Sequence, residues 1–219
     1  IGINGCHNHT IGCPTAGKLT MMKNTVDPMA VQTGVFAALM AKKGYSGTEL
    51  VFEGKEGFMS CFGEGWAMEK LIGDLGVKYK ILECSMKAFP TEALTHTHIT
   101  AVLKAMTKNN LNYDDIDEVV ITTIARACDI LFDSHKYRPE SRETADHSLP
   151  YCIAAAIVDK KITTNSFSDE KMKDPHIWEV IDKIKGEASL EFEKMFPAKQ
   201  PSKAVIRTKD GREFSEYLE

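Results

Sequence analysis

The stretch "KAVIRTKDGREFSEYLE", residues 203–219, decides the class of fold that we predict for this chain. Two runs rich in β-branched and aromatic residues flank Asp210-Gly211, a pair that favours the positive φ angles of a tight turn. An antiparallel hairpin is therefore predicted. Further back, "IDEVVITTI" (116–124) is a continuous β-branched run, which is typical of a covered strand.

Helical patterns lie between and before these strands. In "LTHTHITAVLKAMTKNN" (94–110) the large apolar residues recur on one helical face, and "TADHSLPYCIAAAIVD" (144–159) predicts a helix capped by Asp146. "DPHIWEVIDKIKG" (174–186) predicts a helix with an Asp-Pro start and a Gly stop. "VKYKILECSMKAF" (77–89) favours a strand. Strands mixed with helices that close on a hairpin indicate an α+β domain over 78–219.

Residues 1–77 have a different character, because only helices and loops are predicted there. "VDPMAVQTGVFAALMAKKG" (26–44) predicts a helix that Asp27 caps and Gly44 ends, with an apolar stripe along one side. "GKEGFMSCFGEG" (54–65) is a glycine-punctuated loop without the spacing of a phosphate-binding loop. A short helix is predicted around 67–75. The fold class is therefore α and α+β: a helical domain at 1–77, then the α+β domain.

Bulk composition excludes some classes of function. A net charge of −4 gives no support to a nucleic-acid-binding surface, and no apolar run reaches the ~20 residues that a membrane span needs. The six cysteines include no C-x-x-C pair, so we expect reduced thiols in a cytoplasmic protein rather than a disulfide framework or a metal centre. "GCHNHTIGC" (5–13) has poor geometry for a metal site. The start at Ile1 leads us to expect upstream sequence.

Several polar residues stand at the ends of predicted elements. Lys23 and Lys87 each lie at such an end, where a lysine either is a solvated charge or binds a carboxylate as a point charge. Glu92 caps a helix or shares a helix face with His96. The polar stretch 134–148 carries further candidates, which are Tyr137, Arg138 and His147. Locally, Asp146 and its neighbours are explained either by helix capping or by a binding site.

Four separated segments together resemble the MmgE/PrpD family. They are "GKLTMMKNTVDPMAVQTGVFAALMAKKGYSG" (17–47), "FEGKEGF" (52–58), "KAFPTEALTH" (87–96) and "TADHSLPYCIAAAIVD" (144–159). That family includes 2-methylcitrate dehydratase, cis-aconitate decarboxylase and iminodisuccinate epimerase. The resemblance implies a partial all-helical domain followed by a smaller α+β lid domain, a site in the cleft between them, a homodimer, and no metal or other cofactor. The family's N-terminal helices have no counterpart in these residues.

The same resemblance implies roles for individual residues. Lys23 and Lys87 match family lysines and are predicted to bind a carboxylate or transfer a proton, and Tyr137 matches a lid tyrosine that donates or orients a proton. Glu92 stands where the dehydratase branch reads F-P-A-E and the decarboxylase branch has a histidine. Together with Glu92, Arg138 and His147 are predicted to bind the substrate. The main base is expected on the missing segment.

These expectations lead to three hypotheses of function. The first is metal-independent elimination of water from a hydroxy-tricarboxylate such as 2-methylcitrate, which needs a base, an acid and cations for the carboxylates. The second is decarboxylation or epimerisation of a related polycarboxylate on the same scaffold. The third is a non-catalytic fragment or subunit that needs a partner chain supplying the missing helices. Neither nucleic acid nor membrane is an expected partner.

Overall fold

A computed structural model describes residues 1–6, 12–15 and 17–219 of the chain. The chain forms two compact units. The helical unit consists of Ile1–Pro14 and Met21–Met86, and the α+β unit consists of Thr15–Thr20 and Lys87–Glu219. The predicted class, α followed by α+β, is confirmed.

The described part of the helical unit contains helices and loops but no strand. Its α-helices are α1 (Gly2–Gly5), α2 (Met22–Lys42), α3 (Phe58–Phe62) and α4 (Met68–Ile72). Around α3, the ring of Phe58 packs edge-on against Trp66 with centroids 5.4 Å apart, and the Trp66 indole N–H donates to the Gly63 carbonyl at 3.1 Å. These contacts fold the glycine-punctuated loop back on itself, so its glycines serve chain turns rather than a phosphate.

The start predicted for α2 is wrong. The helix begins at Met22, and Pro28 lies inside it, so Asp27 is not its cap. Proline lacks an N–H and removes one helical hydrogen bond, but the turns on both sides hold the helix together. The predicted end is confirmed, because the helix stops at Lys42 and Gly44 has a φ of 90°. The predicted apolar stripe is largely exposed in this chain: Val35 is 58 % accessible and Leu39 is 58 % accessible.

The strand predicted at 77–89 is also wrong. Lys80–Glu83 forms a short 3₁₀ helix, and most of the surrounding residues are exposed. Lys78 and Lys80 both pair with Glu83, which lowers the pKa of that carboxyl. A lone extended run needs a neighbouring strand for its backbone groups, and no described strand pairs with this segment.

The α+β unit is built on a four-stranded mixed sheet in the order β2-β1-β3-β4. The strands are β1 (Ile116–Thr123), β2 (Ile184–Ala188), β3 (Ser202–Thr208) and β4 (Glu213–Leu218). β1 pairs with β2 in parallel and with β3 antiparallel, and β3 and β4 form the predicted hairpin. Of the two turn residues, Gly211 takes the positive φ of 85°. The alternating burial of β3 shows that one face of the sheet is covered.

Six α-helices in the described part of the unit accompany the sheet. They are α5 (His96–Lys108), α6 (Ala125–Leu131), α7 (Arg142–Ala145), α8 (Leu149–Asp159), α9 (Pro175–Ile181) and α10 (Leu190–Met195). Of these, α5, α6 and α8 pack against its strands. α5 packs against β3, β4 and α8, while α8 also packs against α9 and β2. α8 is the most buried helix of the unit, with every residue from Leu149 to Ile157 in the core. The site residues of this unit therefore stand on a rigid scaffold.

Two predicted helix boundaries need correction. α8 is capped not by Asp146 but by Ser148, whose hydroxyl accepts a hydrogen bond from the Tyr151 N–H at 3.0 Å. α9 starts at the predicted Asp-Pro pair but ends at Ile181, because the chain then turns into β2. Gly186 is thus a strand residue rather than a helix stop. A side chain there would lie 2.6 Å from the Phe132 ring, which explains the glycine.

A short strap, Gly17–Leu19, is bound to the α+β unit. Lys136 is fully buried, and its ammonium donates to the Gly17 carbonyl at 2.7 Å and pairs with Asp133 at 3.0 Å. The Leu19 N–H donates to the Thr144 hydroxyl at 3.1 Å, and the Leu19 side chain is itself buried. A buried ammonium is stable only with partners of this kind. The strap is therefore an integral part of the α+β unit.

Candidate functional site

Five of the six predicted site residues lie in the α+β unit, namely Lys87, Glu92, Tyr137, Arg138 and His147. Lys23 belongs to the helical unit, where it is the second residue of α2 and is half-buried. Its ammonium has no hydrogen bond or ion pair with the described residues, so its predicted contact with substrate stays a prediction.

Lys87 lies on a tight turn. Its ammonium donates to the carbonyl oxygen of Thr91 at 2.8 Å, and the Thr91 N–H in turn donates to the carbonyl of Phe89 at 2.8 Å. The Thr91 hydroxyl is buried against that of Thr95, 2.7 Å away. The lysine is exposed to solvent and is tethered by one backbone oxygen. It is therefore a held cation that an anionic ligand can still reach.

Glu92 joins this turn to the segment before α8. Its N–H donates to the carbonyl of Asp146 at 2.9 Å, and its carboxylate accepts from the Leu94 N–H at 2.6 Å. Of the two alternatives that the sequence left open for Glu92, capping is the one observed. The capped element is the 3₁₀ turn Ala93–Thr95, whereas α5 itself begins after Thr95. The backbone bond brings two segments that are far apart in the sequence side by side.

Asp146 and His147 form a carboxylate–imidazole pair. Nδ1 of His147 and Oδ1 of Asp146 are in short hydrogen-bond contact, and only 7 % of His147 is accessible. The Nε2 atom of His147 has no hydrogen-bond partner among the described residues. A carboxylate fixes the orientation of an imidazole and stabilises its charged form, which is the arrangement found in general bases. Sequence reasoning assigned Asp146 to capping and so missed this pairing.

The carboxylates of Asp146 and Glu92 both affect the pKa of the Cys152 thiol. Burial raises the pKa of Cys152 well above its usual value, and the negative charges of Asp146 and Glu92 raise it further. The thiol is fully buried and contacts the Ala145 carbonyl at 3.6 Å. Cys152 is thus a protonated core residue rather than a nucleophile. Glu92 and Asp146 are already joined by their backbone hydrogen bond, so both carboxylates belong to one neighbourhood.

Tyr137 and Arg138 make their contacts with residues 182–184 and with Trp178. The Tyr137 hydroxyl donates to the carbonyl of Ile184 at 3.1 Å, and burial raises the pKa of the phenol. The Arg138 guanidinium pairs with Asp182 at 2.7 Å and stacks over the Trp178 ring at 5.6 Å. In the described chain neither side chain contacts Lys87, Glu92 or His147.

His96 is a further member of the Lys87–Glu92 neighbourhood. Burial lowers the pKa of its imidazole, and the nearby charge of Lys87 lowers it too, while Glu92 acts in the opposite direction. Its ring packs edge-on against Phe89 with centroids 5.5 Å apart. The spacing of Glu92 and His96 in the sequence was the one signal that could have found this residue.

A cavity of about 370 Å³ lies in the helical unit. Its lining includes Cys6, Lys55, Phe58 and Cys61. Lys55 is its only cation among the described lining residues, and no predicted site residue borders it. We therefore do not assign the function of the chain to this cavity.

Metal binding finds no support in the described part of the chain. No three His, Cys, Asp or Glu side chains there stand close enough together to hold an ion. His7 and His9 of the "GCHNHTIGC" stretch lie outside the described residues. None of the described helices has the length and apolar character needed to cross a membrane.

Comparison with known families finds two matching domains in the chain, one after the other. Residues 1–70 match the MmgE/PrpD N-terminal domain, and residues 89–219 match the MmgE/PrpD C-terminal domain. The chain belongs to the MmgE/PrpD family. The C-terminal match contains Glu92, Tyr137, Arg138 and His147, whereas Lys87 lies two residues before it.

Two curated relatives are similar over most of the chain. A cis-aconitate decarboxylase-like protein, oryM, from Aspergillus oryzae is 24 % identical over 203 residues, which cover 84 % of this chain and 42 % of the relative. Cis-aconitate decarboxylase from Mus musculus is 25 % identical over 215 residues, covering 94 % and 42 % respectively. The chain therefore spans less than half the length of these relatives.

Proposed function

We propose that this MmgE/PrpD chain supplies the α+β part of a lyase site that acts on a small polycarboxylate. The observation that carries the proposal is the junction between Glu92 and Asp146. It places a tethered cation, Lys87, and a carboxylate-oriented imidazole, His147, on two segments joined by a backbone hydrogen bond. Cation and base are the two groups that proton abstraction beside a carboxylate requires.

The first candidate reaction is elimination of water from a hydroxy-tricarboxylate such as 2-methylcitrate. The resemblance alone placed the main base outside these residues, but the Asp146–His147 pair leads us to propose His147 in that role. His147 takes the proton on the carbon next to a carboxylate, and Asp146 stabilises the imidazolium that forms. Lys87 binds a substrate carboxylate as a point charge and offsets the charge that develops on it. Tyr137, protonated in its buried position, is the proposed acid for the departing hydroxide. Lys23 and Arg138 are proposed to hold the remaining carboxylates. The F-P-T-E segment, with Glu92, favours this reaction.

The second candidate is decarboxylation of cis-aconitate, with epimerisation of a related acid as a variant. It is favoured by the names of the two relatives, both of the cis-aconitate decarboxylase type. In this reaction the same cation binds a carboxylate that stays, and the C–C bond to another carboxylate breaks with release of carbon dioxide. The carbon that keeps the electron pair then receives a proton from His147, which enters this reaction as the imidazolium. The two candidates share Lys87 and the Asp146–His147 pair, so the products must decide between them.

The complete enzyme is proposed to need more helices than this chain contains. The support is that the chain matches 42 % of each relative and that α2 leaves Val35 and Leu39 exposed. The rest of a longer polypeptide or a second chain is the proposed source, and a homodimer is the proposed assembly. A non-catalytic role for this chain is the remaining alternative.

Product analysis tests the proposal. The complete assembly is incubated with 2-methylcitrate and, separately, with cis-aconitate, and products are identified by mass spectrometry as loss of water or loss of carbon dioxide. Lys87→Ala is expected to lower kcat/KM by at least about 100-fold. Lys108→Ala, which removes an exposed lysine at the end of α5, is the matched control. Full activity of Lys87→Ala, or no turnover of any polycarboxylate by the assembly, would overturn the proposal.

A further inference from the structure

The peptide unit between Asp146 and His147 is held by a hydrogen bond on each side. Its carbonyl oxygen, that of Asp146, accepts from the Glu92 N–H at 2.9 Å, and its N–H, that of His147, donates to the carbonyl of Thr144 at 3.2 Å. Because a peptide unit is planar, two such bonds restrict its orientation. The backbone position from which the imidazole extends therefore depends on Glu92 and Thr144.

Thr144 is bound to the strap Gly17–Leu19 through its side chain. It belongs to α7, which is a single helical turn, and a helix this short has little stability in isolation. The buried Thr144 hydroxyl accepts from the Leu19 N–H at 3.1 Å and donates to the Leu19 carbonyl at 3.3 Å. Its removal would leave the Leu19 N–H unpaired in a buried place, which is costly. The strap therefore supplies an attachment that α7 needs.

Ser141 strengthens the same attachment. Its hydroxyl donates to the Leu19 carbonyl at 3.2 Å and accepts from the Thr144 N–H at 3.2 Å. Ser141 is the N-cap of α7, and a cap satisfies a backbone donor at the start of a helix. The strap thus joins α7 through the group that caps it, as well as through Thr144.

A second route from the strap reaches the residue after His147. The Lys136 ammonium donates to the Gly17 carbonyl at 2.7 Å, and the Lys136 carbonyl accepts a short hydrogen bond from the Ser148 hydroxyl. That hydroxyl also caps α8. The strap therefore contacts two residues, Thr144 and Lys136, whose carbonyl oxygens bind His147 and Ser148 respectively.

We propose that Thr144 is a positioning residue for His147 and that the strap acts on the Asp146–His147 pair through it. The bound strap keeps the Thr144 carbonyl at the His147 N–H, so that the imidazole stays aligned with the Asp146 carboxylate. Loss of the threonine hydroxyl frees α7 from the strap and lets the peptide unit before His147 shift, which weakens the contact between Nδ1 and the carboxylate. For its effect on catalysis, this role rests on the proposed function, in which His147 is the base.

The contact between His147 and Asp146 can be followed without any substrate. In the full chain with isotope-labelled histidine, nuclear magnetic resonance measures how fast the proton on Nδ1 of His147 exchanges with water. Thr144→Val keeps the size of the side chain but loses the hydroxyl, and we expect this proton to exchange about tenfold faster, because its bond to the carboxylate opens more often. Thr144→Ser retains the hydroxyl and is expected to stay close to the wild-type rate.

Thr208→Val is the matched control. Thr208 is equally buried, and its hydroxyl also has two hydrogen-bond contacts, with Asp210 and with the Arg212 carbonyl in the hairpin. This variant is expected to lower stability and to leave the exchange of the His147 proton unchanged. Should Thr144→Val not fold, Ser141→Ala takes its place, since it removes the other hydroxyl on the Leu19 carbonyl and is expected to act in the same direction.

Two results would overturn the inference. One is exchange at the wild-type rate in folded Thr144→Val, or in Ser141→Ala where that variant takes its place. The other is an equal acceleration in Thr208→Val, because the exchange would then report general loosening of the unit rather than the attachment of the strap.

Activity measurements connect Thr144 to catalysis. In the complete assembly, Thr144→Val is expected to lower kcat by about 10- to 100-fold with a smaller change in KM, as for a displaced reacting group, and Thr144→Ser is expected to recover most of kcat. A merely structural role would lower kcat in Thr208→Val to the same extent and contradict the inference. If the assembly turns over no polycarboxylate, the proposed function fails, and the exchange measurement still decides on Thr144.

Discussion

The backbone N–H of Glu92 donates to the carbonyl oxygen of Asp146 at 2.9 Å, across 54 residues of sequence. This single bond places the turn that carries Lys87 beside the segment that carries His147. Both segments are anchored further: Thr95 binds the Glu92 carbonyl through its hydroxyl at 2.7 Å, and Ser148 caps α8. The candidate site is therefore fixed by main-chain geometry, and its side chains can be exchanged to test their roles.

Asp146→Asn tests the carboxylate–imidazole pair. The amide keeps the size of the side chain but neither orients nor stabilises a charged imidazole as a carboxylate does, so kcat is expected to fall by about 100-fold or more while the fold is kept. The measurement is steady-state kinetics of the complete assembly together with thermal unfolding. Asp169→Asn, at an exposed carboxylate outside the candidate site, is the control and is expected to cost much less. Equal loss in both variants would contradict a special role for Asp146.

Because His98 is buried, we expect the free energy of unfolding of the α+β unit to depend on pH. Its Nδ1 contacts the Ser202 hydroxyl at 2.6 Å and its Nε2 the Thr123 hydroxyl at 2.9 Å, and burial lowers its pKa to about 3. Because the unfolded chain binds this proton near pH 6.5, stability is unaffected above that value and declines as the pH falls from 6.5 towards 3. The decline from this group is about 1.4 kcal/mol per pH unit.

Chemical denaturation at several pH values measures that decline. His98→Asn retains hydrogen-bonding capacity but does not titrate, so its free energy of unfolding is expected to fall less steeply below pH 6.5 than that of the wild type. His135→Asn, at an exposed histidine, is expected to keep the wild-type slope. Parallel slopes for wild type and His98→Asn would refute the assignment.

Lys136→Ala is expected to destabilise the chain by about 3–5 kcal/mol, because it leaves the Asp133 charge and the Gly17 carbonyl without their partner. The strap should then be released and cut faster by a protease, which mass spectrometry of the fragments would locate near residues 17–19. Lys18→Ala removes the exposed ion pair with Glu140 on the same strap and should cost at most about 1 kcal/mol. Unchanged cleavage in Lys136→Ala would show that the strap is held by other contacts.

The exposed cysteines are expected to react with alkylating reagents much faster than the buried Cys152. Cys6, Cys13, Cys61 and Cys84 are exposed, whereas Cys152 is fully buried with a raised pKa. In the native protein iodoacetamide is expected to modify the exposed thiols and to leave Cys152 unmodified until the chain is unfolded. Peptide mapping after timed labelling checks this. Labelling of Cys152 at the rate of Cys61 would mean that the core around α8 opens readily.

Local patterns predicted the parts of the fold that depend on local physics. The 203–219 hairpin and the β1 strand follow from β-branched runs and from one glycine with positive φ, and the start of α9 follows from its Asp-Pro pair. The predictions are wrong where the local structure depends on contacts with residues that are distant in the sequence. Residues 77–89 have the composition of a strand but no strand to pair with, and Gly186 ends no helix because the Phe132 ring requires its lack of a side chain.

In the candidate site, too, single residues could be predicted from local sequence, but their contacts could not. Lys87, Glu92 and His147 were predicted one by one from their motifs, but their neighbourhood depends on a backbone bond between segments that no local pattern connects. Asp146 precedes a helix in the sequence and resembles a cap, yet Ser148 performs that role and leaves the carboxylate to His147. Tyr137 and Arg138, which the sequence grouped with His147, are instead engaged with Ile184 and Asp182.

The strap has a consequence for dissecting the protein. The chain leaves the helical unit after Pro14, returns to it at Met21, and leaves it again after Met86, so it crosses between the units three times. No single cut can therefore yield two intact pieces. A recombinant fragment that starts at Lys87 would have a vacant groove where Leu19 belongs and would lack the carbonyl that Lys136 binds. A synthetic peptide spanning residues 15–20, added back to that fragment, is the natural way to refill it.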